Sequence, residues 1–349
     1  MIIVRGRDGV LRALLNTCMH RGSIVCTQPR GNARSFTCPY HAWTYDTQGA
    51  LRGLPGRAAY ADSFALDELG LRAARLDSYR DFIFVAFDPG ASPLVEYLAG
   101  ATEYIDLVVD QSLAGTMEVL PGSQQYGIRA NWKFLAENSI DSYHVMSLHR
   151  RYVDYLVAQG SMPVRPRGHA RDLGNGHAVS VSAPPLAGKP VAYWGPPMPE
   201  ASKGDVTATF ARLVEAYGEE RAAQIGQTYH QLLIFPNLMI IDTVATTIRT
   251  WSPRDHESID VTAWALAPRG QSDGDRALAL QGFLTFFGPG GFATPDDIEM
   301  LEQCQRSLIN DAVRWVDCSR GMTRSEPSYD DDLPLRAFWR RWRELMSEC

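Results

Sequence analysis

Along the first ninety residues the apolar positions fall in short alternating runs. Met1–Arg5 (MIIVR) and Leu11–Leu15 predict two strands joined at Asp8-Gly9, a strong hairpin signal. Ala42–Tyr45, a Gln48-Gly49 turn and Leu51–Gly53 continue the strand pattern, and Tyr79–Asp88 (YRDFIFVAFD) predicts one more strand, ended by Pro89-Gly90. Pro93 to Asp110 predicts a helix and a connector, and Met117–Ile128 is strand-like. The pattern then changes. In Asn131–His149 (NWKFLAENSIDSYHVMSLH), Trp132, Phe134, Leu135, Ile140, Val145 and Leu148 recur at helical spacing without a Gly or Pro, which predicts a helix.

Beyond it, His169–Val181 predicts a hairpin turning at Gly174-Asn175-Gly176, and Pro184–Pro199 a loop placed as a lid over a pocket. Val206–Gln227 predicts a helix; Leu232–Ile241, Thr246–Pro253 and Ser258–Ala267 predict consecutive antiparallel strands. Thr294-Pro295-Asp296-Asp297 opens a helix over Ile298–Val316. This order predicts an α+β protein: an all-β domain over residues 1–97, then a domain over 98–349 with an antiparallel sheet flanked by helices. No internal repeat or low-complexity tract is present.

Composition narrows the function classes. A chain of 349 residues with 45% apolar and 21% charged residues has the makeup of a soluble two-domain protein. The net charge of -6 gives no reason to expect nucleic acid or an anionic membrane as partner. No run of apolar residues reaches membrane-spanning length and no signal peptide is recognisable, so a cytoplasmic location is expected. Six cysteines (Cys18, Cys26, Cys38, Cys304, Cys318 and Cys349) are too sparse for a disulfide scaffold, which leaves metal ligation as the better default.

Two patterns carry the chemistry. Cys18-Met-His20 and Cys38-Pro-Tyr-His41 stand 17 residues apart, each in a turn-rich segment after a strand. A tetrahedral zinc takes two Cys and two His, but zinc fingers keep the Cys pair together and the His pair together. One Cys and one His in each half is the arrangement of a Rieske [2Fe-2S] centre, with two Cys on one iron and two His on the other. Cys26 falls outside the pattern and is expected as a small buried side chain. The second pattern is His144 and His149. Two imidazoles and a carboxylate make a non-haem Fe(II) site with positions open for O2 and substrate. Five residues apart, these imidazoles diverge by roughly 140° on an ideal helix. They reach one ion only if the helix is distorted there or ends before His149. Asp141 shares a helix face with His144 but lies too close to be the obvious third ligand. Asp296, Asp297, Glu299 and Glu302 stay open as carboxylates, with helix capping as the ordinary role of the first two. His169, His177, His230 and His256 lack ligand spacing and are expected to be structural.

With CMHRG and CPYHAW in front, NWK-x3-EN-x2-D-x-YH-x4-H in the middle and GPGGFATPDD near the end, the chain resembles the large (α) subunit of Rieske aromatic-ring-hydroxylating dioxygenases over nearly its whole length. The last segment is most similar to enzymes acting on aromatic acids of the benzoate, cumate and terephthalate type. The resemblance implies a Rieske β-domain whose cluster is held by Cys18, His20, Cys38 and His41, and a catalytic α+β domain. It implies mononuclear iron on His144, His149 and Asp297, with Asp296 left as the helix cap. It further implies O2-dependent ring hydroxylation, with cis-dihydroxylation typical and monohydroxylation the common variant. Electrons would come from NADH through a separate reductase or ferredoxin, since the chain has no GxGxxG or flavin signature of its own. Other implied partners are an α-subunit homotrimer and a small β subunit. In some aromatic-acid relatives an Arg at the place of Arg249 faces the substrate, and the family's Asp at the place of Asp141 links an iron-bound His to a cluster His of the neighbouring subunit. Here Asp141 would join His144 of one chain to His41 of the next.

Two other readings make the chain a Rieske-type electron carrier or an inactive α-like subunit. The carrier predicts no second metal site, against which the complete set of ligand types after residue 97 speaks. The family carries several tens of residues before the first cluster Cys, where this chain has only 17, so a fragment or a mis-called start site is expected.

Overall fold

The computed structural model describes residues 1–61, 63–162 and 164–347. It divides into two units, Met1–Tyr97 and Leu98–Cys349.

In the first unit, β1 (Ile2–Arg5), β2 (Leu11–Leu14), β6 (Ala73–Tyr79) and β7 (Phe82–Ala86) form an antiparallel sheet in that order, and β3 (Ser35–Thr37), β4 (Thr44–Asp46) and β5 (Leu51–Gly53) form a three-stranded one. Leu14, Phe36, Trp43, Tyr45, Leu51 and Leu71 make the core between them. Tyr79–Asp88 is not one strand. Arg80 and Asp81 both have positive φ (48° and 69°), closing a two-residue turn that pairs Tyr79 with Phe82. Neither residue is Gly or Asn, so the turn left no mark in the sequence. Cys26 is half-buried rather than buried, because its thiol turns out to the Gln28 carbonyl.

The second unit begins with α1 (Leu94–Leu98, across the boundary) and α2 (Ala101–Val109). Two short strands follow, β8 (Met117–Val119) and β9 (Gln124–Ile128); Gly122 at φ 98° breaks what the pattern presents as one strand. Next come α3 (Trp132–Ile140), α4 (Val145–Leu148), α5 (Arg150–Ala158), β10 (Arg167–Gly174), β11 (His177–Ala183), α6 (Lys203–Tyr217) and α7 (Glu219–Gly226). Gly218 at φ 81° splits the expected helix over 206–227. The sheet continues through β12 (Tyr229–Ile234), β13 (Leu238–Asp242), β14 (Thr246–Pro253) and β15 (Ile259–Pro268). The expected strand 232–241 is a hairpin, since Pro236 has no N–H for the ladder. The chain ends with α8 (Asp273–Gly282), a π-helical turn (Phe283–Phe287), α9 (Thr294–Ser307) and α10 (Leu333–Ser347).

The eight-stranded antiparallel sheet has the order β10-β11-β12-β13-β14-β15-β8, with β9 also paired to β15. Strands β10 to β15 thus pair in sequence order. Their buried face carries Leu233, Met239, Ile241, Trp251, Val261 and Ala263, packed against Leu135, Ala136 and Ile140 of α3 and Phe283 and Phe287 of the π turn. Full burial of Leu135 and Ile140 alone is worth about 3–6 kcal/mol.

The predicted helix 131–149 is two helices, α3 and α4, separated by the segment 141–144. Asn131 caps α3 by accepting from the Lys133 N–H at 3.1 Å. The helix stops at Asp141, which is extended (φ -88°, ψ 109°) because its Oδ1 takes the Tyr143 N–H at 2.7 Å. Ser142 is then drawn to the sheet by Ser180 Oγ (2.8 Å) and Gln231 Oε1 (2.9 Å). Asp141 and His144 therefore meet across a turn, not on one helix face. Likewise α9 ends at Ser307, nine residues before the expected Val316; beyond it Asn310 Oδ1 accepts the Ala312 N–H at 3.1 Å, a local turn in place of continued helix.

Candidate metal centres

The first candidate centre is built from two matching loops in the Met1–Tyr97 unit. One follows β2, the other β3. Each closes with an i→i+4 backbone bond, Gly22 N to Cys18 O at 2.9 Å and Ala42 N to Cys38 O at 3.0 Å. At the closing position both residues are left-handed, Gly22 at φ 74° and Ala42 at φ 57°. The second loop therefore tolerates a Cβ where glycine is the ordinary choice, at a cost of about 1–2 kcal/mol. Cys18 and Cys38 are buried, and the rings of His20 and His41 meet edge to face at 4.5 Å. His20 stacks on Trp43 at 4.8 Å, which fixes its ring plane. Tyr45 accepts the Met19 N–H at 3.1 Å and stands 3.3 Å from Cys18 Sγ. Burial opposes thiolate formation at Cys38, but the backbone N–H groups of Tyr40 and His41 outweigh it and hold the thiol below its usual range. His20 Nδ1 is buried with no hydrogen-bond partner. Two buried thiols, two facing imidazoles and an orphaned ring nitrogen fit a Cys2His2-held [2Fe-2S] cluster.

The second candidate centre lies in the other unit, where the helix break turns two imidazoles inward. His144 precedes α4 and His149, at ψ 33°, separates α4 from α5. Asp297 lies in the first turn of α9. His144 Nε2 and His149 Nε2 are 3.2 Å apart, and Asp297 Oδ1 is 3.6 Å and 3.3 Å from them. A point equidistant from the corners of this triangle lies about 2 Å from each, the usual metal–imidazole distance. The ligand atoms of these three residues all lie within 4.8 Å of one another. They would supply an iron with two imidazoles and a carboxylate, the donor set of a non-haem iron site.

The surrounding groups orient the three. His144 Nδ1 meets Asp141 Oδ2 at 3.1 Å, leaving Nε2 for the centre. Asn138 Nδ2 donates to Asp297 Oδ1 at 3.0 Å. Phe286 of the π turn packs against the His149 ring at 5.8 Å. Burial opposes charge on Asp297, but His149 and His144 outweigh it and hold the carboxyl below its usual range. Burial likewise opposes charge on His144, and Asp141 and Asp297 outweigh it and raise its pKa. Asp296 is not the helix cap: no side chain caps α9. Its Oδ2 stands 3.5 Å from His149 Nδ1, an ion-pair distance without hydrogen-bond geometry, so that nitrogen remains orphaned. Glu302 is taken by Arg129 at 2.8 Å, and Glu299 faces Gln303 and Arg306; neither reaches the triangle.

Of the remaining histidines, His177 accepts the Phe235 N–H at 2.9 Å, His230 is enclosed in a charge cluster, and His256 is exposed. Asn138 falls in the EN of the central motif, but its bond to Asp297 was not read from the sequence, and Phe286 was not singled out. The signal for the π turn was present: a Cβ on Gly291 would sit 2.8–3.0 Å from the carbonyl oxygens of Leu284, Thr285 and Phe286, so the chain leading into α9 requires glycine there. Arg249 is buried in the middle of β14, between Met239 of β13 and Ala263 of β15. Directly paired residues share a face, so Arg249 springs from the face that packs on α3, not from the solvent side. Among the described residues its guanidinium makes no hydrogen bond or ion pair.

An α+β chain with a Cys2His2 loop pair in one unit and a two-histidine, one-carboxylate triangle in the other is a protein of two iron centres. Residues 1–76 match the Rieske [2Fe-2S] domain and residues 98–348 the ring hydroxylating alpha subunit (catalytic domain), and the chain belongs to this family of ring-hydroxylating dioxygenase α subunits. It is 32% identical over 330 residues to the large subunit of anthranilate 1,2-dioxygenase from Acinetobacter baylyi, covering 92% of this chain and 70% of that protein. Against the large subunit of 2-halobenzoate 1,2-dioxygenase from Burkholderia cepacia it is 32% identical, covering 95% and 72%. Among solved structures, naphthalene 1,2-dioxygenase with indole bound superposes with a TM-score of 0.83 at 26% identity, covering 98% of this chain and 80% of that one. The family's cofactors are the Rieske cluster and a non-haem iron, its electrons come from a separate reductase or ferredoxin, and its substrate is aromatic. Among the described residues no helix is long and apolar enough to cross a membrane.

Proposed function

We propose that this chain is the terminal oxygenase component that uses O2 and NADH-derived electrons to hydroxylate the ring of an aromatic carboxylic acid, by cis-dihydroxylation. The donor triangle of His144, His149 and Asp297 carries the reading, because three protein ligands would leave positions on an iron for O2 and substrate. In it, Cys18, His20, Cys38 and His41 hold the [2Fe-2S] cluster, and His144, His149 and Asp297 hold the mononuclear iron. Domain 1–97 is the Rieske domain and 98–349 the catalytic domain. When bound, the iron supplies O2 activation; the protein fixes ligands and pocket. Asp141 holds the His144 ring through Nδ1, and Asn138 holds Asp297. Phe286 packs against the His149 ring, with Tyr152 behind Phe286 and Phe292 behind Tyr152, an apolar backing for the ligand.

The acid substrate is supported by Arg249 and by the aromatic acids named in the anthranilate and 2-halobenzoate relatives. Arg249 lies on the buried face of the sheet and makes no hydrogen bond or ion pair among the described residues, and a carboxylate would satisfy its planar fork. Asp141 retains an exposed edge, which suits the link from His144 to His41 of a neighbouring copy in a homotrimer, with or without a small β subunit. The protein acts in the cytoplasm. Iron analysis of the purified protein tests the reading: three irons per chain are expected for cluster plus mononuclear site, and two would leave only an electron carrier. Substrate-dependent O2 uptake should then appear with benzoate, anthranilate or toluate; uptake with neutral aromatics alone would refute the acid assignment.

A further inference from the structure

A buried charge cluster lies outside the donor triangle. Lys189 Nζ donates to Asp242 Oδ2 at 2.6 Å and to the carbonyl oxygens of Ile225 (2.6 Å) and Thr228 (3.2 Å). Asp242 Oδ1 accepts from Thr246 Oγ1 at 2.9 Å, and Oδ2 stands 3.3 Å from Nδ1 of His230. Lys189 is 1% exposed and Asp242 0%. Desolvation largely offsets the attraction in such a pair, so its net stabilisation is small and a positional role is the better account of it.

The position is informative. Lys189 belongs to the loop 184–199, expected above as a lid. The loop is closed on itself: Gly188 N bonds Pro196 O at 3.1 Å and Lys189 N bonds Tyr193 O at 2.7 Å. A Cβ at Gly188 would collide with Met198 Sδ at 2.3 Å, so the two ends of the loop are in tight contact. Tyr229 Oη holds the loop at a second point, accepting from Ala187 N (3.0 Å) and donating to Ala187 O (2.8 Å). Gly188, Pro190, Pro197 and Met198 then form part of the lining of a cavity that Tyr152 and Tyr155 also line. Tyr152 contacts Phe286 at 4.4 Å, and Phe286 contacts His149. The cavity and the donor triangle therefore share an aromatic partition.

We propose that Lys189, through Asp242, is a positioning residue that fixes the loop walling this cavity and so sets how an aromatic substrate is held beside the metal site. The substrate half of this rests on the oxygenase reading; the anchoring half does not. The cation is pinned to the β13–β14 turn and to the end of α7, so losing it frees the wall while leaving β12 to β15 paired.

The test uses the iron-loaded holoenzyme with its reductase and two variants. Lys189→Met keeps the buried methylenes and removes the charge; Tyr229→Phe removes only the hydroxyl and covers the case in which the first variant does not fold. Hydrogen exchange should accelerate at 187–198 and stay unchanged in β13 to β15. With benzoate, kcat/KM should fall by on the order of 100-fold for Lys189→Met and less for Tyr229→Phe, as expected for a misplaced substrate. The fraction of O2 consumed that appears as product should fall in both, with the Rieske spectrum and iron content unchanged. Exchange unchanged at 187–198, exchange raised evenly through the sheet, or a loosened loop with unaltered coupling would each overturn the proposal. If the wild type consumed O2 with neither benzoate nor indole, the oxygenase reading would fail instead, and the exchange pattern alone would still decide the anchor.

Discussion

Replacing Asn138 with Ala removes one hydrogen bond, the 3.0 Å contact from Nδ2 to Asp297 Oδ1. That bond joins the last turn of α3 to the first turn of α9 and orients the only carboxylate of the triangle. A hydrogen bond to a charged acceptor is worth about 1.5–3 kcal/mol. At about 1.4 kcal/mol per decade this predicts a loss of about 10- to 100-fold in ferrous-ion affinity. Outer partners of metal ligands in general show about the same range, 10- to 100-fold. The two estimates have independent origins, and their agreement makes the prediction narrow. The assay is a ferrous-ion titration of protein stripped at the mononuclear site, followed by O2 uptake, with the Rieske absorbance as internal standard for intact protein. The midpoint should move to higher iron while the Rieske spectrum stays as in the wild type. A midpoint and turnover within about twofold of wild type would refute the claim that Asn138 holds the ligand carboxylate in place.

The other predictions concern the proposed ligands and their partners. His144→Ala, His149→Ala and Asp297→Ala should each abolish turnover and leave the Rieske spectrum intact; full activity in Asp297→Ala with loss in Glu302→Ala would show the wrong carboxylate was chosen. Cys38→Ser should bleach the red-brown protein, and a colourless wild type holding one zinc would sink the cluster assignment. Arg249→Leu should raise KM for benzoate by about tenfold or more, a lost charged pair being worth about 1.5–3 kcal/mol, and leave any turnover of an uncharged aromatic unaffected; equal effects on both would remove the carboxylate role. Asp141→Asn should keep the cluster and its reduction by the reductase, while stopped-flow reoxidation with substrate and O2 collapses; reoxidation at the wild-type rate would rule out Asp141 as the link.

Much of the site was legible because its residue types are chemically restrictive. Two Cys-His pairs in turn-rich segments have few uses, and the loops they form match down to the left-handed residue that closes each. The expected conflict at His149, too far around a helix from His144, is met at His149 itself, whose ψ of 33° ends α4 and separates it from α5; a second break lies upstream at Asp141. That break was invisible to periodicity because Asp141 and Ser142 end the helix with side-chain hydrogen bonds, not with Gly or Pro. The Arg80-Asp81 turn escaped for a related reason, two ordinary residues adopting left-handed backbone. Asp296 was misread because Asp at a helix start is usually a cap, whereas here it borders His149. The α+β architecture was legible from the strand runs; helices α8 and α10 were not, since nothing in the motifs drew attention to them.

Strands β11 and β12 are immediate neighbours in the sheet, with Ala178 opposite Leu233, yet the chain leaves at residue 184 and returns only at 229. Everything between them is an excursion hung on one hairpin, and the entropy of lengthening or shortening such an excursion changes slowly with its length. The proposed iron ligands and their supports lie elsewhere, in α3 to α5 and α9. Enzymes of this architecture can therefore diverge in the part that shapes the cavity without disturbing the part that holds the metal. A chimaera that transplants the segment between β11 and β12 from a relative should inherit the donor's cavity wall on the recipient's metal site.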